Sequence, residues 1–181
     1  MIKCVTTKSA LPKRVVFVVL AESGEIIVTE HGKRTELRIP AGKREEVTRR
    51  KFVLLVRKIV QVARGQRLTS LAISRDDFQF PRLAAISELE LASLIAQNIH
   101  LANFEFTRFK TKPKEGWRAV TEIFVLGTCS SEFKEGLSKG ALIAEGVNAC
   151  RELANTPGGD MTPRHLAEAA KRLCRGLRVG V

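Results

Sequence analysis

Two hydrophobic rhythms alternate along this chain, and each change of rhythm marks an element. Val15-Val16-Phe17-Val18-Val19-Leu20 is a short, continuous, β-branched run, the pattern of a strand buried on both faces. Glu22-Ser23-Gly24 turns the chain. Glu25 to Thr29 and Glu36 to Ile39 flank His31-Gly32-Lys33 as the arms of a hairpin, which Pro40-Ala41-Gly42 closes. From Thr48 to Ala63 the period changes: Phe52, Leu55, Val56, Ile59 and Val62 share one helical stripe, and Gly65 is a natural stop. Leu68 to Ile73 predicts a second buried strand. Ser87-Glu88-Leu89-Glu90 has the form of a capping box, opening a helix that turns Leu91, Leu94, Ile95, Asn98 and Leu101 toward a core. Lys112 to Gly116 is a charged loop, and Ala119 to Leu126 is a third strand ending at Gly127. Ser130 or Ser131 caps a long helix running toward Ala154. Within it Gly136 and Gly140 each cost about 1 kcal/mol relative to Ala. Their spacing predicts that another backbone comes close, from the sheet or from a sister subunit.

That helix meets a hard stop. Pro157 lacks an amide donor and biases Thr156 away from helical angles, so the helix ends by about Asn155. Gly158-Gly159-Asp160 supplies a turn, Thr162 stands at an N-cap position, and Pro163 follows at the first helical position. Leu166, Ala169, Ala170 and Leu173 then recur at helical spacing. Strands and helices alternating after a hairpin-like start predict a mixed, mainly parallel sheet with helices on both faces.

Charge adds a local feature. The chain carries 31 Lys and Arg against 19 Asp and Glu, a formal +12. Sixteen of the basic and only six of the acidic residues lie at or before Arg67. Arg50, Arg57 and Arg64 repeat every seven residues on the first helix, with Lys51 and Lys58 beside them, and this stripe is the candidate anion or nucleic-acid face. Cys4, Cys129, Cys150 and Cys174 show no Cys-x-x-Cys pairing and no His at ligand spacing, so they are expected to be buried, reduced thiols suited to a cytoplasmic setting. Lys13-Arg14 before an apolar run of seven imitates a secretion signal, but Glu22-Ser23 follow without a cleavage pattern. No segment has the length to span a bilayer, so no membrane partner is expected.

Asn148, Arg151, Leu153, Asn155-Thr156-Pro157, Thr162-Pro163 and Leu166-Ala167-Glu168 resemble the hinge of the leucyl aminopeptidase family, the cytosolic two-metal exopeptidases. A second point of resemblance is Asn103-Phe104-x-Phe106-x-x-Phe109-Lys110. Those three Phe are read as core anchors at a helix end, in preference to a stacking platform for single-stranded nucleic acid. The resemblance implies a three-layer α/β/α, macro-domain-like fold over residues 1–154, a non-catalytic N-terminal domain. Residues 155–181 are then hinge and first helix of a catalytic domain, a C-terminal helical extension here. It also implies a parent enzyme that removes N-terminal amino acids from peptides with two divalent metals, zinc or manganese. That parent is a homohexamer, so the implied partners are the chain's own catalytic domain and sister subunits.

The chemistry itself does not carry over. The family's metal-binding run Asn-Thr-Asp-Ala-Glu-Gly-Arg-Leu is absent, because Asn155-Thr156 continues into Pro-Gly-Gly. No catalytic or metal-binding residue and no cofactor is therefore assigned to this chain, and it is expected to be inactive alone, serving assembly and access control. Arg75-Asp76-Asp77 precedes loop-like sequence and is not read as a catalytic pair, and His31, His100 and His165 lack motif partners. His165 reads as a surface or capping residue. Two alternatives stand beside this reading: a basic DNA-binding module, as in some bacterial members of the family, and an ADP-ribose-binding module whose only phosphate-loop candidate is Gly127-Thr128-Cys129-Ser130. Leu166, Leu173 and Val179 are expected to form exposed apolar surface, open to dimerisation.

Overall fold

The computed structural model describes residues 2–32 and 34–175. Among them six strands, β1 (Ile2–Val5), β2 (Val16–Ala21), β3 (Ile27–His31), β4 (Arg34–Pro40), β5 (Ser70–Ser74) and β6 (Glu122–Leu126), precede or alternate with four helices. The helices are α1 (Arg49–Gly65), α2 (Glu88–Asn103), α3 (Ser131–Asn155) and α4 (Pro163–Leu173). The strands form one sheet in the order β1-β6-β5-β2-β4-β3. Every neighbouring pair is parallel except β3 with β4. The α/β class and the mixed, mainly parallel sheet are those the hydrophobic pattern predicts. Strand β1 has no counterpart in that pattern. Four residues interrupted by Lys3 are too short to show a period, and their partner is far along the chain, with Ile2 opposite Ile123.

The two faces of the sheet are unequally covered. Register places Val16, Leu71 and Ile123 side by side, and Phe17, Ala72 and Phe124 on the alternate face. The first row joins Leu37 and Ile39 of β4, Phe52, Val56 and Ile59 of α1, Ile95 and Ile99 of α2 and Phe133 of α3 in one large core. The second row closes only a small cluster, Val15, Ala72 and Phe124, with Leu11 and Val5 partly over it. The crossovers from β4 through α1 to β5, and from β5 through α2 to β6, step the same way across the sheet. Right-handed connections then put both helices on one side. From the segment 6–15, which holds a short 3₁₀ turn at Lys8–Ala10, Leu11 and Val15 cover part of the other face. Strand β2 accordingly buries Val16 and Val18 but leaves Phe17 and Val19 half-exposed, so only one of its faces is sealed.

Capping follows the sequence closely. Thr48 accepts from the Lys51 amide at 3.3 Å, Ser87 from Glu90 at 3.1 Å and Ser130 from Phe133 at 3.0 Å. The box at Ser87 is half made: the Glu90 carboxylate reaches Arg49 at 2.7 Å instead of folding back. The glycines of α3 face α2, not the sheet or another subunit. A Cβ at Gly136 would stand 2.3 Å from the Leu89 carbonyl oxygen, and one at Gly140 would stand 2.2 Å from that of Ser93.

All four thiols are free. Burial, aided by a hydrogen bond with the Cys129 thiol, pushes Cys4 up to about 12. The expectation of burial is not met: Cys4, Cys129 and Cys174 are half-buried, and Cys150 is exposed on α3.

Candidate functional site

The residues that the two sequence motifs supply meet at the C-terminal end of α2. A helix ends with carbonyls that have no partner within it. Here three are collected by side chains from neighbouring helices. Arg151 donates from Nη1 to the Leu101 carbonyl at 2.9 Å and to Asn148 Oδ1 at 3.0 Å, while Asn148 donates to the His100 carbonyl at 3.4 Å. Arg64 of α1 donates to the Ala102 carbonyl at 3.1 Å. The Arg151 guanidinium also lies 4.2 Å above the centre of the Phe104 ring. Cations beside a helix C-terminus complement its partial negative charge, so α1, α2 and α3 are tied at one corner by Arg64, Arg151 and Asn148. The aromatic triplet serves this corner unevenly. Phe104 and Phe106 are half-buried, whereas Phe109 is exposed against Phe106 at 5.8 Å, so Phe109 is not the core anchor its spacing suggests.

Beyond this corner α3 ends as the proline requires. Thr156 is buried, its hydroxyl donating to the Glu152 carbonyl at 2.8 Å. Residues 157–160 are exposed, and Thr162 caps α4, accepting from the His165 amide at 3.4 Å. Asn155, Thr156, Pro157, Thr162 and Pro163 thus lie at a turn between two helices, outside the sheet, with Thr156 buried, Thr162 half-buried and the other three exposed. The cavity under the turn, about 190 Å³, is bounded by Arg108, Glu152, Thr156, Met161, His165 and Ala169. His165 is exposed with Nδ1 2.9 Å from the Thr162 hydroxyl, a capping position. On α4 only Ala169 is buried; Leu166 and Leu173 are exposed, and Val179 lies outside the described residues.

The basic stripe of α1 divides into two parts. Arg57 donates to Asn98 Oδ1 at 2.8 Å, and Arg64 donates to the Arg118 carbonyl at 2.7 Å and to Glu105 at 2.6 Å. Lys58 reaches the Pro40 carbonyl at 3.2 Å and Lys51 stands 3.6 Å from Glu46. Arg50 is exposed. Heptad spacing aligns these residues along the helix, but α2 and the loops around it take up Arg57 and Arg64. The signal that could have foretold this is Asn98, a polar residue at a core position of α2 that needs partners.

Other candidate chemistry is likewise dispersed. Asp76 and Asp77 sit in a 3₁₀ turn, Asp76–Phe78; burial raises Asp77 above the ordinary carboxylate range, partly countered by Arg44. At Gly127 the amide donates to the Val5 carbonyl at 3.1 Å, and the Thr128 carbonyl accepts from Arg75 at 2.5 Å, so this loop is bonded into the fold. Among the described residues no three His, Cys, Asp or Glu side chains converge as a metal-ion site. Among the described residues no helix is long and apolar enough to cross a membrane.

Comparison with known proteins gives a consistent result. No family model matches the chain. A protein from Roseiflexus castenholzii named probable cytosol aminopeptidase is 33% identical over 121 residues, covering 65% of this chain and 25% of the relative. One of the same name from Mannheimia succiniciproducens is 26% identical over 151 residues, covering 83% of this chain and 30% of its own length. The chain therefore spans between a quarter and a third of these relatives. Among solved structures, a mutant tomato leucine aminopeptidase superposes with a TM-score of 0.76 over 96% of this chain and 42% of its own, at 18% identity. The bottromycin maturation enzyme BotP superposes with a TM-score of 0.69 over 91% of this chain, at 15% identity. At such identities the superpositions speak for the fold alone.

Proposed function

We propose, from the homology of this chain to cytosol aminopeptidases over 25–30% of their length, that it is the non-catalytic N-terminal region of a metal-dependent leucyl aminopeptidase. On this reading residues 1–154 are the scaffold, and the turn from Asn155 to Thr162 leads to the part that would hold zinc or manganese and cleave N-terminal residues from peptides. The observation that carries it is the corner where Arg151 and Asn148 meet Phe104 and the last carbonyls of α2. Two motifs singled out separately in the sequence support one another there, fixing the direction in which α3 leaves the sheet. Rigid departure of that helix is what a scaffold needs to set the position of neighbouring domains and subunits, and through them access to a catalytic chamber.

The test is a chimera. Residues 1–181 replace the matching region of the Roseiflexus castenholzii relative, and the product is assayed for assembly and for release of leucine from a leucyl anilide. An assembled, active chimera supports the reading. A soluble chimera that neither assembles nor cleaves, beside an active parent, refutes it.

A nucleic-acid-binding role rests on the formal charge of +12. With Arg57, Arg64 and Lys58 bonded within the protein, that role falls to Arg50, Lys51 and the other exposed cations. It requires duplex binding that weakens steeply with salt; no binding at about 50 mM salt removes it.

A further inference from the structure

Strand β3 is the edge of the sheet, paired to β4 on one side only. Its first two residues and the one before them are consecutive exposed apolar residues, Ile26 at 42%, Ile27 at 44% and Val28 at 38% of their full exposure. A β-branched edge of this kind is a template for strand pairing, which soluble proteins normally blunt with charge, proline or a bulge. Here the apolar stretch has none of these within it, and the charges stand at its ends, at Glu25 and at Glu30-His31.

We propose that β3 is a pairing surface for a second copy of this chain, joining two sheets antiparallel about a twofold axis at Val28. The inference does not depend on the aminopeptidase reading.

Backbone phase fixes the register. His31 is opposite Arg34 across a two-residue connection, and residues that close such a hairpin exchange both main-chain hydrogen bonds. Alternation then turns the amides and carbonyls of His31, Thr29 and Ile27 toward β4, and those of Glu30, Val28 and Ile26 outward. Among the described residues no backbone hydrogen bond is made by those outward groups outside the β3–β4 ladder. A twofold antiparallel pair that uses outward groups on both copies is centred on a residue between Ile26 and Glu30, either an outward one with a hydrogen-bonded pair at the axis, or Ile27 or Thr29 with a non-hydrogen-bonded pair there.

Charge and length choose among the five. Centring on Glu30 sets two carboxylates face to face, which is unfavourable. Centring on Ile26 or Ile27 runs the pairing into Gly24, whose φ of +115° is not that of a strand, and centring on Thr29 runs it into Gly32, at +60°. Centring on Val28 sets Val28 opposite the partner's Val28, and Ile27 opposite the partner's Thr29. Glu25 then faces the partner's His31, and Ile26 faces the partner's Glu30. Apolar and β-branched side chains meet at the middle, and acidic groups meet no acidic group at the ends. The segment is thus self-complementary in the one register that its backbone and charges allow. Val28 lies opposite Leu37, which belongs to the large core, so Val28 and its twofold mate extend the helix-bearing face of the sheet.

The experiment is sedimentation velocity of the 181-residue chain over a concentration series, with two variants. Val28→Pro removes the outward N–H at the axis; proline is tolerated at such a position because the bonds to β4 are untouched. It is expected to raise the dimer dissociation constant about tenfold or more, with the circular dichroism melt showing that the fold persists. Val28→Cys, placed in a Cys150→Ser, Cys174→Ser background, is expected to form an intermolecular disulfide under mild oxidation. Hydrogen-bonded partners stand about 5.5 Å apart between Cα atoms, within disulfide reach. Three results overturn the proposal: a one-chain mass at every concentration, a dimer indifferent to Val28→Pro, or a dimer abolished by Leu166→Glu with Leu173→Glu and not by Val28→Pro.

Discussion

Replacing Gly140 by alanine sets two effects of known sign against each other. In an exposed helix interior the change would stabilise by about 1 kcal/mol, because glycine loses more backbone freedom on folding. At Gly140 the new methyl carbon would stand 2.2 Å from the Ser93 carbonyl oxygen and 2.9 Å from the Ser93 Cα. Those atoms are helix backbone and cannot swing aside, so α2 and α3 must separate by about 1 Å to restore ordinary contact. A gap of that size forfeits a quarter to a half of the dispersion energy of the atoms facing it, and overpacking a fitted site costs about 1–3 kcal/mol. The strain also loosens Phe133 and Leu137, the residues of α3 that enter the core. Set against that gain, the expected net loss is up to about 2 kcal/mol, or up to roughly 8 °C in Tm for a chain of this size. Urea unfolding followed by circular dichroism measures it. Gly146→Ala is the internal reference, since it lies on the same helix with nothing within 4 Å of the added carbon; it should gain up to about 1 kcal/mol. Equal stability changes at the two sites would refute the account of how α2 and α3 pack.

Removing the Arg151 side chain by Arg151→Ala should cost about 1–3 kcal/mol, since it ends a charged hydrogen bond to the Leu101 carbonyl and the stacking on Phe104; Arg151→Lys should recover only part of this in the same unfolding assay. Burial holds Asp77 above the ordinary carboxylate range, so the folded state binds its proton more tightly than the unfolded state. Stability relative to Asp77→Asn is therefore present in acid and lost as pH rises through the folded value, which leaves the variant the more stable at neutral pH; stability curves of both proteins from pH 3 to 8 check the sign. In thiol labelling of the folded chain Cys150 should react first and Cys4 last, Cys4 being held near 12 and largely protonated. Mass spectrometry of the labelled peptides reads the order.

The parts of the fold that were legible in the sequence are those written in local terms. The stripe Phe52, Leu55, Val56, Ile59 and the caps Thr48, Ser87 and Ser130 each report on a few consecutive residues, and helices α1 to α3 follow from them. The turn at Pro157 and the cap at Thr162 were legible for the same reason. What failed depends on partners distant in sequence. Strand β1 has its meaning only beside β6. The continuous apolar run of β2 suggests two sealed faces, yet crossover handedness puts the core helices on one side. Arg57 and Arg64 look like surface cations until α2 brings Asn98, Ala102 and Glu105 to them. The glycine pair announced a close approach but could not name α2 as the element approached. The hinge residues were found by resemblance, and their meeting with Phe104 needed the fold.

The proposed function requires that these 181 residues hold no catalytic metal pair of their own. Titration calorimetry of the purified chain with zinc and with manganese, followed by assay of each sample on a leucyl anilide, tests it most directly. The account predicts no stoichiometric metal binding and no leucine release. Binding of two cations per chain, accompanied by hydrolysis that Gly140→Ala or chelation abolishes, would contradict it.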